Sequence, residues 1–396
     1  MKFSDLTGHK EIIENLRNMV DNDRVPHAIL FSEQPGCGAL PLVLALVQYM
    51  FCKGKYGEPI DTGGLFEEAA PEKPAIGGND ACGHCRACKK IEDLVHPDLH
   101  FIFPINTSDL VEKGKKAPID MFYTLFRELV KENPYFSEQD LYRKLGLENK
   151  LGIIGVPEAS WIINKLSFSA YEGGDKVVLL MFPERMNAEA SNKLLKSIEE
   201  PAPGTFFFFI TNAPGKIITT IRSRCRLIEV PPIDETSMAE GLKRQFNIDD
   251  GAAKMWAGCS LGSYGKAVEL IGHDAESGEN YSNFISLLNL CLDKNLPELL
   301  SLGNDLAAMG KEEQKAFCIN ALETIREMHA MKIGVPEISY ANPAHKEELE
   351  KMSCNLELSF LHFCTEYLNN TISCIERNVN AKFAFCDLCN RLYLKV

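Results

Sequence analysis

Residues 205–211 read Thr-Phe-Phe-Phe-Phe-Ile-Thr. An apolar run of strand length, with no polar residue alternating along it, has two faces to hide and must sit inside a sheet covered on both sides. Ala28–Phe31, Leu99–Phe103, Lys176–Leu180 and Leu227–Val230 are further runs of this kind. Between them the pattern turns helical, first over Ile12–Val20. Short buried strands separated by helices predict a parallel sheet, and the fold class is α/β. After Pro231-Pro232 the strand-like runs stop. Residues 235–272 read as three short helices, punctuated by Asn247–Gly251 and Gly262-Ser263, and from about 278 the pattern is helical except across Gly334–Pro343. A chain of 396 residues exceeds one ordinary domain. The expected division is an α/β domain over 1–232, a three-helix lid over 233–277 and an all-helical domain over 278–396.

Composition narrows the function. Hydrophobic residues are 45% and charged residues 24%, the balance of a soluble globular chain. The net charge of −13 argues against a surface that grips nucleic acid as a whole. The start, MKFSDLTGHK, lacks the apolar core of a signal peptide, and no stretch approaches the ~18 apolar residues of a membrane span. The expected compartment is the cytoplasm, so the fourteen cysteines are read as thiols or metal ligands rather than disulfides.

Between the Ala28–Phe31 strand and a helix beginning near Leu40 lies Ser32-Glu33-Gln34-Pro35-Gly36-Cys37-Gly38-Ala39-Leu40. Strand, glycine-rich turn and helix N-terminus is the setting in which backbone N–H groups cradle phosphates. The working motif is G-x-x-x-x-G-K-[ST]. Gly36 and Gly38 are present, but Glu33 replaces the first glycine, Ala39 the lysine and Leu40 the magnesium-binding hydroxyl. The lost lysine removes the main counter-charge, and a glutamate adds like-charge repulsion. The other half of such a site is an apolar strand ending in acidic residues. Here the Lys176–Leu180 strand runs into Met181-Phe182-Pro183, with Glu184 too far along to substitute directly. Both halves are defective, so neither ATP binding nor hydrolysis is expected in cis.

Cys82-Gly83-His84-Cys85-Arg86-Ala87-Cys88 sets three thiols at three-residue spacing, with Cys52 upstream. Zinc takes four tetrahedral ligands, often paired on short turns. A ferredoxin-type run continues with Cys-Pro four residues after its third cysteine, where this chain has Glu92-Asp93. Cys52 and His84 both compete for the fourth ligand position. Cys386-x-x-Cys389 lies in a helix-period run, and Cys259, Cys291, Cys318, Cys354, Cys364 and Cys374 are scattered through helical segments; all eight are expected to pack as small hydrophobes. His96-Pro97-Asp98 reads as the end of a helix and the start of a strand.

Four blocks carry a family resemblance. They are Ile29-Leu30-Phe31 with Pro35-Gly36-Cys37-Gly38, Tyr171-Glu172-Gly173-Gly174-Asp175-Lys176-Val177-Val178, Asn187–Pro201 with its N-x-L-L-K-x-I-E-E-P core, and Ile221-Arg222-Ser223-Arg224-Cys225. In this order they resemble the clamp-loader branch of the AAA+ family, over most of residues 1–270. The resemblance implies a P-loop-type AAA+ module with a zinc-binding insertion at about 52–88, followed by a lid and an oligomerisation collar. It implies a structural Zn2+ on Cys52, Cys82, Cys85 and Cys88. It implies that Arg224, flanked by Ser223 and Cys225, acts in trans on ATP held by a neighbouring motor subunit, with Arg222 as the competing candidate. Thr211-Asn212 falls at a nucleotide-sensor position, where capping of the strand end is the expected role. Gly265 falls where motor subunits carry a second sensor arginine. The implied protein is a non-hydrolysing clamp-loader subunit of the bacterial DNA polymerase III holoenzyme, with no enzyme activity of its own. Its implied partners are the gamma/tau motor and delta subunits in a hetero-oligomer, and the sliding clamp and primed DNA through that complex; no membrane partner is implied. Two alternatives stand beside it: an ATP-hydrolysing motor subunit, opposed by Ala39, Met181 and Phe182, and a zinc-dependent nucleic-acid-binding regulator, opposed by the net charge although Lys113–Lys116 is locally basic. About 105–150, with amphipathic helical patterns over 117–130 and 137–145, exceeds what the family leads one to expect and has no assigned role.

Overall fold

The computed structural model describes residues 1–396 except 57–79, 109, 112–115, 148–149, 173, 273, 335–345 and 378. The long loop expected over 53–81 therefore falls largely outside the described residues, as do Lys113–Lys115 and most of the break at 334–343. The chain forms two compact units, Met1–Val268 and Glu269–Val396.

The first unit is built on a five-stranded parallel sheet in the order β2-β3-β4-β1-β5. The strands are β1 (Ala28–Glu33), β2 (Leu99–Ile102), β3 (Lys176–Met181), β4 (Thr205–Thr211) and β5 (Arg226–Val230). The apolar run that set the fold class is β4, held between β3 and β1. Phe207, Phe208 and Phe209 are fully buried although successive side chains point to opposite faces. Phe207 stacks on Phe209 along one face at 6.3 Å, and Phe208 meets Phe31 edge-on at 6.2 Å on the other. β5 departs from the expectation of two-sided burial. It is an edge strand with Arg226 and Leu227 exposed, because the sheet ends there.

Helices cover the sheet. Helix α1 (Lys10–Asp21) packs on α2 (Ala39–Phe51), which lies against β1 and β4 and is buried almost throughout. Helix α3 (Arg86–Glu92) packs on α2, and α6 (Val156–Ser167) on α7 (Ala188–Glu199). The helical patterns in the unassigned stretch form a 3-10 turn (Ile119–Phe122), α4 (Tyr123–Glu132) and α5 (Glu138–Lys144). Ser137 and Asp140 start α5 through a reciprocal capping box. The aromatics of this stretch pack: Phe126 stacks on Phe103 at 4.5 Å, and Phe122 is fully buried. After the short α8 (Thr219–Arg222) and β5 come α9 (Glu235–Phe246), α10 (Asp250–Ser260) and α11 (Tyr264–Gly272), the three short helices read from the sequence. Asp234 and Asp249 cap the first two, and Asn247 ends α9 in the left-handed region.

The second unit is helical: α12 (Asp274–Leu292), α13 (Leu296–Ala308), α14 (Lys311–Ile333), α15 (Lys346–Asn355), α16 (Leu358–Glu376) and α17 (Ala381–Lys395). Helix α13 packs along α17, and α14 along α16. Phe284, Phe317 and Phe385 form a chain of ring contacts at its centre. Two cysteine expectations fail in this unit. Cys354 and Cys386 are exposed, and Cys374, like Cys259 of the first unit, is half-buried, whereas Cys291, Cys318, Cys364 and Cys389 are core. Cys386 lies one turn before Cys389 but off the apolar stripe of α17, so the C-x-x-C spacing spans two environments. Among the described residues no helix is long and apolar enough to cross a membrane.

Candidate functional site

A parallel sheet brings its strand C-termini to one edge, and ligand crevices form there. Here that edge joins Glu33 of β1, Met181 of β3 and Thr211 of β4 to the start of α2. Gly36 (φ +78°) and Gly38 (φ +109°) bend the chain from β1 into α2 through the left-handed region. The turn leaves the first N–H groups of α2 pointing into the bend, as in a phosphate cradle.

That cradle is filled from within. The Glu33 carboxylate accepts a hydrogen bond from the Ala39 N–H at 2.8 Å, and the Gly38 and Cys37 amides lie near enough to favour its charged form. Burial pushes its carboxyl up to about 7, and the three backbone amides offset only part of that effect. The sequence placed Glu33 beside a phosphate site; the fold puts its carboxylate inside one. Ala39 and Leu40 are buried apolar residues, so neither a counter-charge nor a metal-binding hydroxyl faces the turn.

The surroundings close over this turn. Ser263 Oγ donates to the Pro35 carbonyl at 2.8 Å, and the Gly265 N–H donates to the Gly36 carbonyl at 3.1 Å. A Cβ on Gly265 would stand 2.2 Å from the Tyr135 carbonyl oxygen, so the second-sensor position admits no side chain. The Tyr135 ring lies on Gly38, where a Cβ would meet its Cε1 at 3.0 Å, and contacts Tyr264 with ring centroids 4.5 Å apart. His9 Nε2 holds the Cys37 carbonyl at 2.8 Å.

At the end of β3, Met181 and Phe182 are buried where acidic residues would face a metal. Phe182 has φ +55°, and this turn carries the chain back toward the edge. Glu184 thereby reaches a place its sequence position did not suggest: Thr211 Oγ1 donates to it at 2.8 Å and the Asn212 N–H at 3.3 Å. Asn212 Nδ2 also donates to the Glu33 carbonyl at 3.3 Å. Thr211 and Asn212 tie the strand ends together, which is the capping role expected of them.

Arg224 follows α8 at the exposed β5 edge. Its Nε pairs with Glu199 at 2.5 Å, and its Nη1 donates to the Thr220 carbonyl at 2.7 Å. Glu199 belongs to the N-x-L-L-K-x-I-E-E-P block, so two of the sequence blocks meet here. Arg224 remains 37% exposed, and the flanking Ser223 Oγ donates to the Thr220 carbonyl. Cys225 is half-buried, with its thiol pushed up to about 12 by burial. Arg222 is exposed nearby.

The sulfur atoms of Cys52, Cys82, Cys85 and Cys88 lie within 4.8 Å of one another. Tetrahedral ligands about 2.3 Å from a zinc ion stand roughly 3.8 Å apart, and Cys82 Sγ is 3.9 Å from Cys88 Sγ. The Cys82 N–H donates to Cys52 Sγ at 3.1 Å, and the His84 and Cys85 N–H groups to Cys82 Sγ at 3.4 Å. Backbone donors aimed at sulfur favour thiolates, the form a metal requires. Hydrogen bonds from Cys52 and Cys88 hold the Cys85 thiol far below its usual range. The competition for the fourth position goes to Cys52: the imidazole of His84 is not part of the cluster. Beside it, His96 is buried against Glu172 at 3.3 Å, Lys90 also pairs with Glu172, and Asp98 accepts from the Tyr171 and Glu172 amides at 2.7 and 3.0 Å. This network fixes α3 to the start of β3 and was not legible from His96-Pro97-Asp98 alone.

A family model described as DNA polymerase III, delta subunit, matches residues 66–234. The delta-prime subunit of DNA polymerase III from Escherichia coli K12 is 29% identical over 248 residues, covering 63% of this chain and 55% of that protein. The Bacillus subtilis delta-prime subunit is 27% identical over 276 residues, covering 70% and 63%. A Buchnera aphidicola delta-prime subunit is 38% identical over 164 residues, covering 41% and 38%. The chain thus spans less than two thirds of the length of these relatives. A solved DNA polymerase III gamma subunit-related protein from Thermotoga maritima shares 15% identity over 97% of this chain and 99% of that one, with a TM-score of 0.38. By these sequence matches the chain is similar to delta-prime subunits of DNA polymerase III over much of its length.

Proposed function

We propose that this chain is a non-hydrolysing clamp-loader subunit of a bacterial DNA polymerase III holoenzyme that supplies Arg224 in trans to ATP bound by a neighbouring motor subunit. The observation that carries the reading is a contrast between two places on the sheet: the phosphate turn at the C-terminal end of β1 is occupied by Glu33, while Arg224, beside the N-terminal end of β5, stands exposed and is held by Glu199, the Thr220 carbonyl and Ser223 Oγ. A guanidinium offers a planar fork to the charge developing on a transferred phosphoryl group. An exposed ion pair of the Arg224–Glu199 kind is worth about 0–1 kcal/mol, so a triphosphate, with more charge, can displace Glu199. Arg224 would contribute nothing to this chain's own turnover and act only once assembled.

In this reading the helices over 233–277 form a lid and those over 278–396 a collar that joins gamma/tau motor and delta subunits in a hetero-oligomer. The four-cysteine cluster holds a structural Zn2+, chosen by an all-sulfur, tetrahedral donor set. The sliding clamp and primed DNA are reached through the complex, and the setting is the cytoplasm. The test is reconstitution with motor subunits, comparing wild type with Arg224→Ala and Arg222→Ala. Assembly is expected to persist in both, while Arg224→Ala lowers hydrolysis at the neighbouring site by on the order of 10³. Unchanged clamp- and DNA-stimulated ATPase in Arg224→Ala would overturn the assignment.

A further inference from the structure

We propose that Glu33 and Tyr135 form a resident substitute for nucleotide: the Glu33 carboxylate takes the place of a phosphate in the turn after β1, and Tyr135 seals the turn to the helices that follow β5. This gives the unassigned stretch at 105–150 a role. The inference is independent of the trans role of Arg224.

Three groups of observations meet at this point. The first is the cradle. Two glycines at positive φ shape the turn, and the Ala39 amide bonds the Glu33 carboxylate at 2.8 Å, with the Gly38 and Cys37 amides beside it favouring its charged form. Buried donors at a helix start must find an acceptor, and here the acceptor is covalently attached six residues upstream.

The second is the seal. Tyr135 stands in the turn between α4 and α5, its N–H held by Asn133 Oδ1 at 3.0 Å. It is buried, with its ring on Gly38, its carbonyl against Gly265 and Thr7 beside it on the wall of one cavity. Gly265 also bonds Gly36 directly. The phosphate turn, the Tyr135 turn and the start of α11 therefore share one contact point with no gap between them. What remains is a cavity of about 250 Å³ lined by Thr7, Tyr135, Gly241, Arg244 and Tyr264 among others. No residue of the phosphate turn lines it, so Tyr135 stands between this space and the cradle.

The third is the anchor. Arg185 grips Glu138 of α5 through two bonds, Nε to Oε1 at 2.6 Å and Nη2 to Oε2 at 2.9 Å, and Tyr142 donates to the same carboxylate at 2.5 Å. Arg185 follows Glu184, whose carboxylate holds Thr211. The turn bearing Tyr135 is thus fixed to the same sheet edge that it covers. A ligand moves an equilibrium only by its differential affinity for two states. An occupant that belongs to the chain never leaves, so the position of α9–α11 against the sheet does not follow nucleotide concentration.

The full-length chain tests this by thermal unfolding of Glu33→Ala with inorganic phosphate as probe, against chloride at matched ionic strength. Wild type is expected to be indifferent to phosphate beyond the chloride control, and to ADP. Glu33→Ala is expected to lose on the order of 4 °C and to regain at least half of it in phosphate, which fills the vacated cradle. Should Glu33→Ala fail to fold, hydrogen exchange of Tyr135→Ala decides. The Ala39 and Gly265 amides should then exchange at least tenfold faster while the β3 amides are unchanged. Phosphate or ADP stabilising wild type as much as the variant, a Glu33→Ala chain as stable as wild type, or faster exchange in Tyr135→Ala confined to residues 117–145 would each overturn the proposal.

Discussion

Gly265→Ala separates two physical accounts of the lid contact by the sign of its effect. Gly265 is the second residue of α11 and its φ lies outside the left-handed region, so backbone considerations alone favour alanine. Ala exceeds Gly in helix propensity by up to about 1 kcal/mol and loses less chain entropy on folding. The packing argues the reverse. The added Cβ would lie 2.2 Å from the Tyr135 carbonyl oxygen and 3.3 Å from Gly36 Cα. Ordinary contact begins near 3.4 Å, so the Tyr135 turn or α11 must move by about 1 Å. Overpacking of this kind costs about 1–3 kcal/mol, and the displaced Gly265–Gly36 hydrogen bond adds about 1 kcal/mol. The net expectation is a loss of about 2 kcal/mol. Both tryptophans, Trp161 and Trp256, belong to the first unit, so tryptophan fluorescence in urea follows that unit alone. At a slope of roughly 2–3 kcal/mol/M the midpoint should fall by just under 1 M. Gly215→Ala, where a Cβ meets nothing within 4 Å, is the control and should stay within about 0.5 kcal/mol of wild type. A midpoint for Gly265→Ala equal to or above wild type refutes the contact.

Two further outcomes follow from the titrating groups and the sulfur cluster. Because burial raises the Glu33 carboxyl from 4.5 to about 7, the folded chain keeps a proton that the unfolded chain releases. Its contribution to stability is therefore present below pH 4.5 and is lost as pH rises toward 7. Glu33→Gln should remove this loss, on the order of 2 kcal/mol after allowance for partial exposure, read as the change in urea midpoint between pH 5 and pH 8 in variant and wild type; equal pH dependence in the two would count against it. For the sulfur cluster, elemental analysis should find about one zinc per chain, and Cys82→Ser should hold less than half as much. An unaltered zinc content in that variant would remove Cys82 from the ligand set.

The parts of this architecture that were legible in the sequence are those set by local pattern. Thr205–Thr211 could only be a strand covered on both faces, and the punctuation at Asn247–Gly251 and Gly262-Ser263 separates the three helices after β5. The three-residue spacing of Cys82, Cys85 and Cys88 brings their thiols together on one turn. What was hidden depends on chain reversal or distance. Glu33 reads as a repulsive substitution until Gly36 and Gly38 fold the amides of α2 back onto it. Tyr135 is about a hundred residues from the turn it covers. Glu184 looked too far along β3 because the left-handed bend at Phe182 has no sequence signature in a phenylalanine. Cys354 and Cys386 were assigned to the core because short helical windows do not resolve which side of an apolar stripe a residue takes.

Restoring the missing lysine and hydroxyl does not by itself restore nucleotide binding if the cradle is already filled. Ala39→Lys/Leu40→Thr reconstructs the G-K-T end of the phosphate motif, and a reading based on motif alone expects ATP to bind. The structure expects otherwise. Positions 39 and 40 are 0% and 3% exposed, so a lysine at 39 must find a partner within the turn, and the nearest acceptor is the Glu33 carboxylate. The new ammonium would pair with the resident carboxylate, hold it ionised and tighten the occupant it was meant to replace. Phosphate binding would then require expelling Glu33 from the Ala39 amide and a cation, and opening the Tyr135 contact with Gly38. Equilibrium dialysis with ATP and magnesium should show no binding up to millimolar concentration for Ala39→Lys/Leu40→Thr. Binding should emerge only when Glu33→Gly and Tyr135→Ala are added. Saturable ATP binding by the two-substitution chain would mean that the lysine and hydroxyl alone kept nucleotide out, and that the occupied cradle is incidental.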